Sequence, residues 1–201
     1  MRCRREAELP VVAVLGNHDW HAGRRDELVQ VLRAGDVEVL EGSATTLAVP
    51  AGTVGVAGAK GFVGGFDPGS YLPDFGEPLL RTVYAETGME ATLLDRALDA
   101  IAGCQLRIAL LHYAPIPETL AGEPAGIHTF LGSGRLADPL RRHRPDLALH
   151  GHAHAGTLEG ELDGVPVFNV SVPVMGRAFW IFELRPRART APAEVEVQPA
   201  G

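Results

Sequence analysis

The chain has 201 residues, a formal net charge of −7 and 46% hydrophobic residues. That length suits one domain with a full core, and the apolar share is that of an ordinary globular protein. The acidic balance argues against nucleic-acid coating, and no run approaches the ~20 apolar residues of a membrane span. Lys60 is the only lysine and the other basic residues are arginine, which in a chain so rich in Ala and Gly reads as coding bias. Cys3 and Cys104 lack metal spacing and fit reduced cytosolic thiols. Met1-Arg2-Cys3-Arg4-Arg5 and the apolar stretch after it imitate a signal peptide, but the stretch is short and lacks a small-residue cleavage site. A cytoplasmic location is expected.

In chain order, residues 1–9 read as the charged tail of a helix or linker. Residues 10–15 are a continuous apolar, β-branched run, hence a buried strand. Residues 24–34 place Leu28, Val29 and Leu32 on one helical face, with Gly35 at the C-cap. Residues 37–40, 45–49 and 53–59 read as three strands. Residues 61–82 are Gly/Pro-rich and carry Phe62, Phe66, Tyr71 and Phe75: a packed surface loop or a wall of a substrate cleft. Thr87-Gly88-Met89-Glu90 has capping-box spacing, and the helix after it buries Leu93, Leu94, Ala97, Leu98 and Ile101. Residues 106–111 form the next strand, 112–131 another long loop, and 135–143 a short helix, with Asp138 as cap and Pro139 near its start. A strand at 147–149 leads into a histidine cluster. Strands at 165–170 and 178–184 follow. One domain over 1–186 and a frayed tail over 187–201 are expected.

Three sites place polar, ligand-type residues directly after strand-like runs, where α/β folds gather their chemistry. They are Gly16-Asn17-His18-Asp19, His112, and His150-Gly151-His152-Ala153-His154. Extended backbone would put His150, His152 and His154 on one face; alternatively, a turn at Gly151 could re-aim the last two. A bare H-x-H is also what a solvated loop gives, His18 and Asn17 suit a turn, and His112 suits a backbone-bonded strand end. Imidazole with an amide oxygen suits Zn, Fe, Mn or Ni. The coincidence of three strand ends lifts the set Asn17, His18, His112, His152 and His154 above its members.

Taken in order, Gly16-Asn17-His18-Asp19, then His112, then Gly151-His152-Ala153-His154 resembles the later part of the calcineurin-like metallophosphoesterase signature, which runs D-x-H, G-D-x-x-D, G-N-H-[DE], a lone His, then G-H-x-H. The resemblance implies an α/β fold: a four-layer α/β/β/α sandwich, here lacking its first strands. It implies that Asn17, His112 and His152 bind one metal and His154 the other, in a site that holds two divalent ions (Mn, Fe or Zn) when complete. His18 would face the substrate, stabilise the phosphoryl charge and protonate the leaving oxygen, with Asp19 orienting it. The implied reaction is hydrolysis of a phosphomonoester or phosphodiester by a metal-bound hydroxide.

The first two motifs are absent. Asp19-Trp20-His21 overlaps another motif, and Gly35-Asp36 has Val39 where its second Asp should stand. One metal would keep three protein ligands without a bridge and the other only His154, so this chain is expected to bind at most one metal well and to turn over poorly. A truncation or a start placed too far downstream is the simplest expectation, and an apolar sheet edge left bare would favour self-association. The rival readings are a non-catalytic binding or scaffolding relative and a mononuclear metal store. The substrate is not legible: Tyr71 and Tyr113 could stack a base or pack, and Arg141, Arg142 and Arg144 could meet phosphate or form a solvated helix face.

Overall fold

A computed structural model describes residues 9–50, 52–67, 71–74, 76–185 and 195–198, the last of these by backbone. Cys3, Phe75 and most of the expected N-terminal helix tail and C-terminal tail lie outside the described residues.

The centre is a six-stranded sheet in the order β3-β4-β5-β6-β8-β7. Its strands are β3 (Ser43–Val49), β4 (Gly52–Ala59), β5 (Leu106–Leu111), β6 (Leu147–His150), β7 (Glu159–Leu162) and β8 (Val165–Asn169). β4, β5, β6 and β8 run parallel, and β3 and β7 flank them antiparallel. Parallel strands covered on both faces need near-continuous apolar sequence, which the run Leu106-Arg107-Ile108-Ala109-Leu110-Leu111 supplies almost throughout.

The two faces of β4 show why it is glycine-rich. A Cβ at Gly55 would lie 2.6 Å from Ile101 Cβ, and one at Gly58 would lie 2.6 Å from Leu40 Cβ. The first close approach belongs to α3 (Pro78–Ala100), which packs on this face with α5 (Ala137–His143). Leu94, Leu98 and Ile101 are each at most 1% exposed, and burials of this kind contribute about 1.5–3 kcal/mol apiece. The second approach belongs to a smaller layer: β1 (Val11–Ala13), paired in parallel with β2 (Val37–Val39), under α2 (Arg25–Ala34). Leu15, Val29 and Val39 form its own core with Leu28 and Leu32. Helix, strand pair, sheet and helices are thus stacked in the α/β order that the sequence implied.

Several elements differ from expectation. The long helix begins at Pro78, not at Thr87, with Glu77 as cap and Pro at its first position, where a missing N–H costs nothing. Thr87 is 2% exposed in mid-helix, and its hydroxyl donates to the carbonyls of Val63 and Val83, so the capping-box letters carry no cap. The loop of 112–131 contains α4 (His128–Leu131). In α5, the chain enters through a 3-10 turn whose N-cap is Ser133, which accepts from the Arg135 N–H, rather than through an Asp138 cap. β7 was not anticipated. It is a charged, mostly exposed strand turned into β8 by Asp163-Gly164, both with positive φ (50° and 85°), a two-residue hairpin. After the short α6 (Val172–Met175), β9 (Ile181–Leu184) pairs with β10 (Val195–Gln198); β10 lies inside the stretch read as a tail. Among the described residues no helix is long and apolar enough to cross a membrane.

Candidate metal centre

All the singled-out residues follow the C-terminal ends of β1, β5 and β6, the edge where open α/β sheets place their ligands. Hydrogen bonds lace that edge together. The His112 N–H donates to the Lys60 carbonyl at 3.1 Å, Gly151 N–H to the His112 carbonyl at 3.2 Å, and Val170 N–H to the His150 carbonyl at 2.7 Å.

Asn17 opens α1 (Asn17–Trp20), a single turn. Its Oδ1 lies 2.8 Å from Nε2 of His112, across 95 residues of sequence. Gly16 makes this contact possible, because a Cβ there would stand 2.7 Å from Cε1 of His112. Asp19 Oδ2 accepts the Gly16 N–H at 2.7 Å. Asp19 thereby caps the turn that carries His18, and acts on that residue through the backbone. His18 is exposed, with His21 edge-on at 6.0 Å between ring centroids.

The histidine cluster is split by its backbone. His150 ends β6 and is fully buried; its Nδ1 donates to the Gly151 carbonyl at 2.8 Å, and its Nε2 meets the Thr119 hydroxyl at 2.8 Å. Both nitrogens are used internally, so His150 supports the loop and does not face the site. Of the two sequence alternatives, the re-aiming turn is the one observed: His152 has φ 68°. Its ring comes within 4.7 Å of His112 and 4.5 Å of Tyr113, centroid to centroid. His152 Nε2 lies 3.1 Å from the Phe130 carbonyl. A carbonyl only accepts, so Nε2 carries the proton and Nδ1 keeps its lone pair, the arrangement in which an outer hydrogen bond fixes the tautomer of a metal-binding histidine. His154 is exposed and acts on His152 electrostatically.

Burial, aided by the neighbouring charges of His152 and Lys60, pushes His112 down to about 3. Burial also lowers His152. Both rings are therefore neutral at physiological pH, the form in which imidazole donates a lone pair. In this structure His112 Nε2 donates to Asn17 Oδ1, so a cation shared by the two would displace that proton; two neutral imidazoles and an amide oxygen are donor types that suit a divalent cation. Among the described residues, no group of three or more His, Cys, Asp or Glu side chains stands close enough to hold a metal ion. The structure does not bring His154 into the set.

Several supporting residues were missed from sequence. Lys60 is buried behind the site, 3.1 Å from Glu90, donating to the Gly61 carbonyl, with Phe62 beneath its ammonium at 4.6 Å. Asn169, Ser171 and Thr119 are buried polar groups that brace the 150–157 loop. Asn169 and Ser171 stand at the end of a foreseen strand, and the strand-end rule applied there would have flagged them. Tyr113 is 5% exposed and packs, while Tyr71 is 43% exposed. Arg141 and Arg142 pair with Asp163 and Asp95, a solvated helix face.

A sequence profile of the calcineurin-like phosphoesterase family matches residues 2–156. No curated protein sequence matches significantly. Among solved structures, a Staphylococcus aureus protein described as a candidate 5′-nucleotidase, in complex with α-ketoglutarate, superposes with a TM-score of 0.58 and 17% identity, covering 93% of this chain and 36% of that one. The phosphopantetheinyl hydrolase of Mycobacterium tuberculosis gives 0.53 and 16%, covering 75% of this chain and 61% of that one. At such identities the likeness is one of fold, and this chain spans about a third of the first protein and three-fifths of the second.

Proposed function

Because the chain belongs to the calcineurin-like phosphoesterase family, whose members hydrolyse phosphoesters with divalent metal ions, we propose that Asn17, His112 and His152 hold one such cation against a phosphomonoester or phosphodiester. The observation that carries this reading is the 2.8 Å approach of Asn17 Oδ1 to His112 Nε2, with the His152 ring tilted at 51° beside it, 4.7 Å between centroids. When bound, a divalent cation (Mn, Fe or Zn) lowers the pKa of water and offsets charge on the phosphoryl oxygens.

The chain's own residues do the rest. Burial keeps His112 and His152 neutral, with their ring centroids 4.7 Å apart. His18, exposed at the start of α1 and two residues before Trp20, is the acid that hands a proton to the leaving oxygen. Asp19, by capping Gly16, keeps that turn in place. His154 stands ready at the rim as a ligand for a second ion. With three donors and no carboxylate among them, affinity is confined to one cation and turnover is low. A cytoplasmic setting fits the sequence.

Hydrolysis of an aryl phosphodiester with added Mn²⁺ tests this. We expect slow, metal-dependent turnover below the 1–10³ s⁻¹ common to enzymes. His112→Ala abolishes it, and His18→Ala lowers it by roughly 10²–10⁴. A chain extended upstream with D-x-H and G-D-x-x-D segments turns over faster. Tight metal uptake without turnover in either chain would favour the metal store, and neither uptake nor turnover would favour the scaffold.

A further inference from the structure

We propose that Asn169 and Ser171 are positioning residues for the candidate ligand loop: together they clamp the Ala153 carbonyl, which lies between His152 and His154. This rests on the reading of His152 as a metal ligand.

The Ala153 N–H donates to the Gly151 carbonyl at 2.8 Å, which closes a three-residue turn around His152 at φ 68°. That hand of turn is the rare, strained one, and a non-glycine residue is held in such a region at a cost. It persists only where its surroundings over-determine it. The surroundings here are specific. Ala153 is fully buried, and its carbonyl accepts from Asn169 Nδ2 at 2.9 Å and from Ser171 Oγ at 2.7 Å. Asn169 Oδ1 accepts the Ser171 N–H at 3.1 Å, which fixes which end of the amide faces the carbonyl. Asn169 and Ser171 are 0% and 8% exposed.

The same strand pairing delivers both halves of the device. Asn169 is in register with His150 at the end of the β6–β8 ladder, and Ser171, two residues on, reaches the same carbonyl. From the other side, His150 Nδ1 donates to the Gly151 carbonyl, so both carbonyls flanking the strained residue are anchored by buried side chains. Removing one donor leaves a buried carbonyl a bond short and weakens the restraint that holds His152 in its strained turn. The turn then relaxes and the His152 ring leaves its place beside His112.

The test uses the full chain, with Co²⁺ as the probe and its visible absorption as the readout, alongside amide hydrogen exchange of the metal-free protein. Ser171→Ala and Asn169→Ala weaken Co²⁺ binding roughly 10- to 100-fold, the range for residues that orient metal ligands. Exchange accelerates locally at residues 151–155. Ser171→Thr, which keeps the hydroxyl, restores the parent affinity. Ser171→Ala removes one of two bonds and leaves the strand intact, so it decides the matter even if Asn169→Ala does not fold. Lower thermal stability with Co²⁺ affinity unchanged would overturn the proposal and leave a purely structural clamp. A parent chain that takes up no Co²⁺, or a His152→Ala variant that binds as well as the parent, would instead overturn the metal-centre reading beneath it.

Discussion

A methyl group at position 16 would stand 2.7 Å from Cε1 of His112, and that single clearance sets the tolerance of the site. Gly16→Ala pushes the ring off Asn17. The expected cost is about 1–3 kcal/mol of stability, as for other overpacked sites, together with loss of divalent-cation uptake; isothermal titration and thermal melting read the two separately. Unchanged cation affinity in Gly16→Ala would mean that the His112 ring position does not matter. His150 makes a second prediction. Burial lowers it to about 4, below the ~6.5 of an unfolded histidine. The unfolded chain therefore binds more protons between these values, so the stability is complete above pH 6.5 and is lost as pH falls toward 4. At pH 5 the loss from His150 is about 2 kcal/mol. Urea denaturation of the metal-free chain at pH 7 and pH 5 reads this loss together with that of His112, which burial also lowers, and a flat response would contradict the buried, neutral assignment of both. Nothing in the letters H-x-H separates His150 from His152. The distinction lies in a left-handed backbone angle at His152, which alternation does not encode. Asn17 and His112 were legible because both follow apolar runs.

Strands with apolar runs and helices with a clear apolar face were read from sequence to within a few residues. The face that buries Leu94, Ala97, Leu98 and Ile101 was identified even though its helix starts nine residues earlier than expected. What misled there was local: Thr87-Gly88-Met89-Glu90 satisfies the capping pattern, but tertiary packing buries Thr87 against Val63. At Gly88, in mid-helix, an added Cβ would meet Arg135 Nη1 at 2.9 Å, the mobile end of a long side chain. β7 was missed because Glu159-Gly160-Glu161-Leu162 has little apolar content, although Asp163-Gly164 is a strong hairpin signal. Two variants separate scaffold from site at this scale. Leu98→Ala, at a position 1% exposed, lowers stability by about 2–5 kcal/mol with cation affinity kept. Gly164→Ala, at φ 85°, costs about 1 kcal/mol and also leaves the site intact. Loss of cation binding in a still-folded Leu98→Ala protein would show that the core and the site are not separable.

At the scale of the whole molecule, the strand-end location of the candidate site was legible from the order of apolar runs and the residues that end them, while the layered α/β order and the family were legible from the resemblance carried by Gly16-Asn17-His18-Asp19 and Gly151-His152-Ala153-His154. The second sheet was not legible in its observed size: among the described residues it is the β1–β2 pair alone, with β1 at its edge. An edge of Val11-Val12-Ala13 invites pairing, so the chain is expected to self-associate with concentration. Val12→Lys reduces that association in light scattering; an unchanged, monodisperse signal for both forms would remove the expectation. In the proposed centre, donors drawn from residues 17, 112 and 152 meet at one cation. Anomalous diffraction from crystals grown with Mn²⁺ addresses it most directly. A peak is expected at bonding distance, about 2.0–2.3 Å, from Asn17 Oδ1 and from the imidazoles of His112 and His152. No peak there, or one bound by other residues, would contradict it.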